Sequence, residues 1–166
     1  MPPISLQPMT AVVVNVVGWA VFHSATGYAV HRLPLARLQR DTWILRQRVF
    51  ERDGRWYERF RIRHWKDALP EAGALFAGGM SKRTLPGRDR TGLFRYAAET
   101  RRAEWGHWAA MACGPVFVLW NTPVLAGVMV LYGVLVNAPF IAIQRYNRWR
   151  VGRVLARTSE SSSASR

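Results

Sequence analysis

The sequence has few acidic residues, and two long stretches have no charged residue at all. Asp and Glu number 10 against 24 Lys and Arg in 166 residues, and no charged side chain occurs in residues 1–31 or 105–144. A water-soluble fold exposes charged side chains along most of its elements, so segments of this length without any charge are typical of membrane spans. Both stretches are therefore predicted to lie in a lipid bilayer.

Cysteine is nearly absent as well. The single residue, Cys113, excludes an intrachain disulfide and a cysteine metal cluster. The chain also lacks a G-x-S-x-G nucleophile elbow and a His followed at the expected distance by Asp, as in soluble glycerolipid acyltransferases. These absences leave few of the familiar catalytic arrangements open.

The second uncharged stretch is long enough to cross a bilayer and return. Its 40 residues would measure about 60 Å as helix, twice the roughly 30 Å hydrocarbon core. A turn is predicted at Asn121-Thr122-Pro123, because Asn and Pro favour turns. Residues 124–143 then form an apolar span, whereas residues 105–120 contain Gly114-Pro115 and are predicted to be kinked, tilted or re-entrant.

Residues 10–30 supply a third apolar segment. No basic region precedes it and the first cation is Arg32, so an uncleaved anchor is favoured over a cleaved signal peptide. Its polar side chains, Asn15 and His23 among them, are expected to face protein, substrate or water. The predicted fold is an all-α membrane protein with about three transmembrane helices, one N-terminal and two in a C-terminal hairpin.

The positions of the cations predict the orientation. Eighteen lie in residues 32–104 and six after residue 144, and the positive-inside rule places both groups in the cytoplasm. The protein is thus expected in the cell membrane, multi-pass, with its N-terminus outside. The predicted segments are an N-terminal helix (1–31), a basic cytoplasmic or interfacial block of amphipathic helices and loops (32–104), a hairpin (105–144) and a basic tail (145–166) that is disordered from about residue 158.

A net charge of +14 would suggest nucleic acid as the partner of a soluble protein. Cations confined to the cytoplasmic side of membrane segments instead attract anionic headgroups and set topology. Membrane lipids are therefore the expected partner, and no nucleic acid is expected.

The central block combines cations with aromatic side chains. As a helix, residues 55–66 would place Trp56 and Phe60 on one side and leave four cations, Lys66 among them, available to phosphates. Membrane anchoring is favoured over a catalytic role for these cations. Residues 70–79 and 81–92 are predicted loops, where Gly78-Gly79 followed by Lys82 is only a weak phosphate-binding signal because it lacks P-loop spacing.

His107 is the best candidate for catalysis. It stands three residues after Glu104 on one helix face, and an imidazole oriented by a carboxylate suits a general base. The alternative, a pair that only caps a helix end, is equally favoured. Asn137, inside the last apolar helix, is in a position to face His107, whereas the apolar helices offer no acidic residue for a metal site.

The end of the last apolar helix is rich in hydrogen-bond donors. Arg145, Asn147 and Arg148 lie where cations complement the helix dipole, and they would also suit an anionic substrate group or an acyl carbonyl. Both interpretations stay open at this point.

Several strings together resemble one family. They are Thr100 to Glu104 followed by His107-Trp108, Asn137-x-Pro139, and the QRYNR run at 144–148, with Arg63-x-Trp65-Lys66 and Arg32-Leu33-Pro34 in addition. This combination resembles the glycosyl-4,4'-diaponeurosporenoate acyltransferase family of staphyloxanthin-type carotenoid biosynthesis. The similarity spans nearly the whole chain.

The resemblance implies transfer of a fatty acyl group from a thioester donor, such as acyl-CoA or an acyl carrier, to a sugar hydroxyl of a glycosylated carotenoid or related glycolipid. No cofactor is expected, and association with other carotenoid-pathway enzymes is a further expectation. A non-enzymatic membrane scaffold or lipid-presenting subunit is the alternative. The residues expected in the site are catalytic His107 and Glu104, with substrate contacts from Arg145, Asn147, Arg148, Asn137, His64, Lys66 and Arg101.

Overall fold

A computed structural model describes residues 2–69, 85 and 89–164, with side chains to residue 160. Every regular element in this part of the chain is helical, which confirms the all-α prediction. The α-helices are α1 Pro8–His31, α2 Arg55–Arg59, α3 Ile62–Trp65, α4 Arg90–Ala112 and α5 Pro123–Ala164, and 3-10 turns cover Leu35–Leu38, Val49–Glu51, Lys66–Ala68 and Gly114–Leu119. The predicted loop 70–79 with Gly78-Gly79, and Lys82 in the next loop, lie outside the described residues.

Two of the described helices are long and apolar enough to cross a membrane. They are α1 and the Pro123–Glu160 part of α5. The predicted turn at Asn121-Thr122-Pro123 is present, since α5 begins at Pro123. Residues 105–120 form no single helix, because α4 ends at Ala112 and a 3-10 turn with a proline in its first two positions follows. The expected break in this segment is therefore observed.

The chain divides into two compact units. One comprises Met1–Arg32 and Trp105–Ile141 and is here named the apolar unit; the other comprises Leu33–Glu104 and Ala142–Arg166 and is named the basic unit. Each unit contains part of α4 and part of α5.

The apolar unit has its large apolar side chains outside and polar ones inside. Asn121 and Asn137 are 2% and 1% exposed, whereas Val16 and Val124 are 67% and 77% exposed. A soluble fold has the opposite arrangement, so this distribution fits lipid as the surrounding solvent. Other exposed apolar residues on α1 and α5 are Met9, Val12, Val13, Val17, Val21, Leu125, Val128, Leu131 and Leu135.

Trp19 of α1 is the centre of packing in the apolar unit. Its ring stacks on Phe117 with centroids 5.0 Å apart. A Cβ built on Gly133 would lie 2.5 Å from the Trp19 ring, so α5 approaches this closely only because position 133 has no side chain. Asn15, one turn earlier, forms a reciprocal pair with Asn121, with N···O distances of 3.0 and 2.9 Å. The expectation that Asn15 faces protein is confirmed.

The basic unit differs from the predicted surface helices. Residues 55–66 do not form one amphipathic helix, because Arg61 adopts φ 50° and separates α2 from α3. Tyr57 and Ile62 from this segment pack on Tyr146 and Trp149 of α5 in a buried cluster.

A positive backbone angle also fixes the entry to α2. Gly54 has φ 78°, and a Cβ there would lie 2.0 Å from the Trp149 ring. Only glycine fits this combination of left-handed backbone and close contact.

The helix α5 runs to Ala164 and so includes residues from about 158 that composition predicts to be disordered. Thr158 and Ser159 donate their hydroxyls to Val154 O and Ala156 O at 2.9 and 2.7 Å. These hydroxyls therefore bond within the helix, where the composition of the segment predicted an unstructured tail.

Candidate functional site

Two polar clusters, one in each unit, contain candidate residues. The histidine cluster comprises His23, His107 and Asn137 in the apolar unit. The carboxylate–arginine cluster comprises Glu51, Glu104, Arg145 and Arg148 in the basic unit. Both contain residues that the sequence marked as candidates.

His107 and Asn137 are in contact, as predicted from their places on the chain. The distance between His107 Nδ1 and Asn137 Oδ1 is 2.9 Å. The imidazole also stacks on Phe140, with centroids 4.8 Å apart and planes 10° from parallel. This hydrogen bond and this ring contact both hold the imidazole in position.

The hydrogen bonds of Asn137 determine which His107 nitrogen carries the proton. Asn137 Nδ2 donates to Gly133 O at 2.9 Å, and because a carbonyl only accepts, this bond fixes the amide orientation. Oδ1 therefore faces His107 and accepts from its Nδ1–H. In the neutral ring the lone pair is then on Nε2, the arrangement that a general base requires.

His23 completes the cluster from α1. Its Nδ1 lies 2.8 Å from Trp19 O and must donate, which leaves Nε2 to accept from Asn137 Nδ2 at 3.3 Å. His23 was expected to face protein, substrate or water, and it faces protein; it was not among the predicted site residues. The sequence feature that pointed to a role for His23 was its position as a polar residue within an apolar helix.

Glu104 is the centre of the second cluster and is 0% exposed. Its Oε1 accepts from Arg145 Nε at 2.8 Å, and its Oε2 accepts from Arg148 Nη2. Arg145 also pairs with Glu51 at 3.1 Å. Two carboxylates and two guanidinium groups thus balance in charge inside the basic unit.

Backbone groups and a tyrosine complete this cluster. Arg145 donates to Ile44 O at 2.6 Å and Arg148 donates to Leu45 O at 3.0 Å, so both arginines hold the segment that precedes the Val49–Glu51 turn. Tyr57 donates its hydroxyl to Glu51 at 3.1 Å. Burial raises the pKa of this phenol and the charge of Glu51 raises it further, so Tyr57 stays a neutral donor.

The remaining predicted substrate contacts are all in the basic unit. Arg101 pairs with Asp41 at 2.6 Å and donates to Leu38 O at 3.3 Å. Asn147 is 0% exposed. His64 is exposed and lies at the edge of a cavity of about 180 Å³ next to Tyr57, whereas Lys66 lines a larger groove.

Within the described residues, no three His, Cys, Asp or Glu side chains come together in a group that could hold a metal ion. The two clusters contain imidazole and carboxylate as their acid–base groups. Of these, the His107 imidazole has the geometry of a general base.

The fold and clusters define the described part of the chain as helical, with two helices suited to a membrane and a half-buried imidazole hydrogen-bonded to a buried amide. Residues 41–157 match the family described as glycosyl-4,4'-diaponeurosporenoate acyltransferase. The match covers most of the chain, including His107, Asn137 and the carboxylate–arginine cluster, but not His23. The chain belongs to this family and is an acyltransferase.

Curated relatives agree with the family match. Glycosyl-4,4'-diaponeurosporenoate acyltransferases of Staphylococcus aureus strains USA300 and NCTC 8325 / PS 47 are each 29% identical to this chain over 126 residues, which cover 75% of the chain and 75% of each relative. No solved structure matches the chain significantly.

Proposed function

We propose that the protein esterifies a sugar hydroxyl of a glycosylated carotenoid, or a related glycolipid, with a fatty acyl group from a thioester donor. The family supplies the reaction class and the kind of acceptor. The observation that carries the proposal is the His107–Asn137 hydrogen bond, because it holds the imidazole in the tautomer that has its basic lone pair on Nε2.

In the proposed reaction, His107 Nε2 removes the proton from the sugar hydroxyl as its oxygen attacks the thioester carbonyl. The tetrahedral intermediate collapses, the carbon–sulfur bond breaks, and the imidazolium returns the proton to the leaving thiolate. The products are the ester and a free thiol, and the enzyme is unchanged. General base catalysis of this kind contributes about 10²- to 10⁴-fold.

Asn137 and His23 act as positioning residues in this proposal. Asn137 Oδ1 holds the His107 Nδ1 proton, and His23 supplies an acceptor for the Asn137 amide. Glu104, first expected to orient His107, has both oxygens on guanidinium groups and is proposed to organise Arg145 and Arg148 instead.

The proposed location is the cell membrane. Residues 105–120 complete a third passage between α1 and α5, so the N-terminus lies outside and both basic segments lie in the cytoplasm. The support is the distribution of cations along the chain, which favours the cytoplasmic side for residues 32–104 and for the residues after 144.

The test uses the purified full chain in detergent micelles with a glycosylated carotenoid and an acyl-CoA. Mass spectrometry is expected to detect the ester, and His107→Gln is expected to lower its initial rate by about 10²- to 10⁴-fold. The matched control is His31→Gln, which removes an imidazole from the end of α1 and is expected to leave the rate unchanged.

Two outcomes would contradict the proposal. If His107→Gln forms the ester at the wild-type rate, His107 is not the base. If the wild-type protein forms no ester with either an acyl-CoA or an acyl carrier protein thioester, the scaffold or lipid-presenting alternative is favoured.

A further inference from the structure

A groove of about 560 Å³ in the basic unit is lined mainly by cations. Three of them, Arg150, Arg153 and Arg157, belong to α5 and are spaced at i, i+3 and i+7, which places them along one helix face. Arg63 of α3 and Lys66 of the 3-10 turn that follows also line the groove. The volume falls in the usual range for small-molecule sites.

Two of the α5 guanidinium groups are held in place by stacking. Arg150 lies over the Tyr146 ring at 5.7 Å and Arg153 over the Trp149 ring at 5.0 Å. Both rings are almost fully buried, at 4% and 6% exposure. Stacking uses the flat face of a guanidinium, so the N–H edges stay available to an anion.

The positive charge of this helix face is not neutralised within the described part of the chain. No described carboxylate lies within ion-pair distance of Arg150, Arg153 or Arg157, in contrast to Arg145 and Arg148, which pair with Glu104. Three guanidinium groups along about 10 Å of helix repel one another unless an anion lies between them.

Arg63 and Lys66 have acidic neighbours, which partly balance their charge. Arg63 faces Glu58 at 3.9 Å, with both side chains largely exposed, and Lys66 contacts Asp67. The groove therefore has an excess of positive charge that comes mainly from α5.

We infer that this groove binds the phosphate groups of a coenzyme A thioester, the acyl donor. The inference rests on the proposed function for its biological sense. Arginines bind phosphates through paired N–H groups, and a row of three suits a ligand with several phosphates more than a single one. Leu85 and Val154, which also line the groove, offer apolar surface to the adenine ring.

Anionic lipid headgroups share the phosphate chemistry of coenzyme A. The groove favours coenzyme A because a concave site of about 560 Å³ is of nucleotide size, whereas basic residues that meet a membrane surface need no concavity.

The full chain is reconstituted in nanodiscs of phosphatidylcholine only, and binding of coenzyme A and of adenosine 3′,5′-bisphosphate is measured by isothermal titration calorimetry. Both ligands are expected to bind, with affinities within about tenfold of each other if the phosphates dominate. Pantetheine, which lacks phosphates, is expected not to bind at the same concentrations.

Charge reversal tests the residues. Arg150→Glu with Arg153→Glu is expected to weaken coenzyme A binding by about 100-fold or more, on the basis of about tenfold per charge-assisted contact. Arg157→Glu alone, at an exposed position, is expected to weaken coenzyme A binding about tenfold. This single variant tests the inference even if the double variant misfolds. Arg95→Glu makes the same charge change at an exposed position outside the groove and is expected to bind normally.

Two results would overturn the inference: no coenzyme A binding in phosphatidylcholine nanodiscs, or unchanged coenzyme A binding in the α5 variants. Absence of coenzyme A binding, together with a loss of co-purified phosphatidylglycerol in the α5 variants after reconstitution in mixed-lipid nanodiscs, would assign the groove to lipid headgroups. His107→Gln keeps the groove intact and is expected to bind coenzyme A like the wild type. Binding without ester formation would therefore contradict the proposed function alone, and ester formation from acyl-CoA without an effect of the α5 variants would contradict this inference alone.

Discussion

At the residue scale, Asn137 joins two histidines through one amide group. Asn137→Leu keeps a similar volume but removes the acceptor for the His107 Nδ1 proton, so the imidazole is no longer held in one tautomer. The expected result is a fall in kcat on the order of 100-fold with a small change in KM, because a misplaced catalytic group impairs the reaction more than binding. Steady-state kinetics with the purified protein measure both constants.

A double-mutant cycle provides the control. If Asn137 acts through His107, the substitution Asn137→Leu should change the residual rate very little in a His107→Gln background. Equal effects of Asn137→Leu with and without His107 would contradict the positioning role.

Glu104 gives a second prediction at this scale, on stability. Glu104→Gln leaves Arg145 and Arg148 buried with reduced compensation, and removal of one partner from a buried charge pair costs about 3–5 kcal/mol. Thermal unfolding in detergent is expected to reveal a lower Tm. Glu58→Gln, whose ion pair with Arg63 is largely exposed, is the matched control and should have almost no effect, and equal shifts for both variants would contradict a buried ion-pair role for Glu104.

At the scale of elements, alanine substitutions at two glycines of α5 distinguish the effect of packing on stability from the effect of helix propensity. A Cβ at Gly133 would lie 2.5 Å from the Trp19 ring, whereas nothing lies within 4 Å of a Cβ at Gly127. Gly133→Ala is expected to destabilise the protein by about 1–3 kcal/mol through overpacking, and Gly127→Ala to stabilise it by up to about 1 kcal/mol through helix propensity. Thermal unfolding of the two variants in the same detergent compares them, and equal effects would contradict close packing of Trp19 on α5.

The helices themselves could largely be predicted from sequence. The absence of charge predicted α1 and the first part of α5, and Pro123 marked where α5 begins. The break between α2 and α3 could not be predicted, because Arg61 is not a glycine and its positive φ depends on the packing of Ile62 and Tyr57 around it. Local pattern decides which residues form a helix, but tertiary contacts decide where such a short helix ends.

The candidate site could be predicted from the sequence only in part. Polar residues within apolar helices are few, so the pairing of Asn137 with His107 followed from their positions alone. The partners of Glu104 could not be predicted from the sequence. Arg145 and Arg148 lie 41 and 44 residues away, and which carboxylate each arginine pairs with depends on the folded chain. His23 was missed as a site residue because its contact with Asn137 spans 114 residues.

At the scale of the whole molecule, the proposed three-passage topology predicts which positions are reached from outside the cell. Because all 24 cations lie in residues 32–104 and after residue 144, both segments are expected in the cytoplasm and only the N-terminus and the turn near Asn121 outside. Single cysteines are placed at the exposed positions Ser5, Arg40 and Ser159 in a Cys113→Ala background. A membrane-impermeant maleimide is expected to label Ser5→Cys in intact cells, and Arg40→Cys and Ser159→Cys only after permeabilisation, with labelling under denaturing conditions as the control for reactivity. Labelling of Arg40→Cys in intact cells would place the basic residues 32–104 outside and contradict the topology.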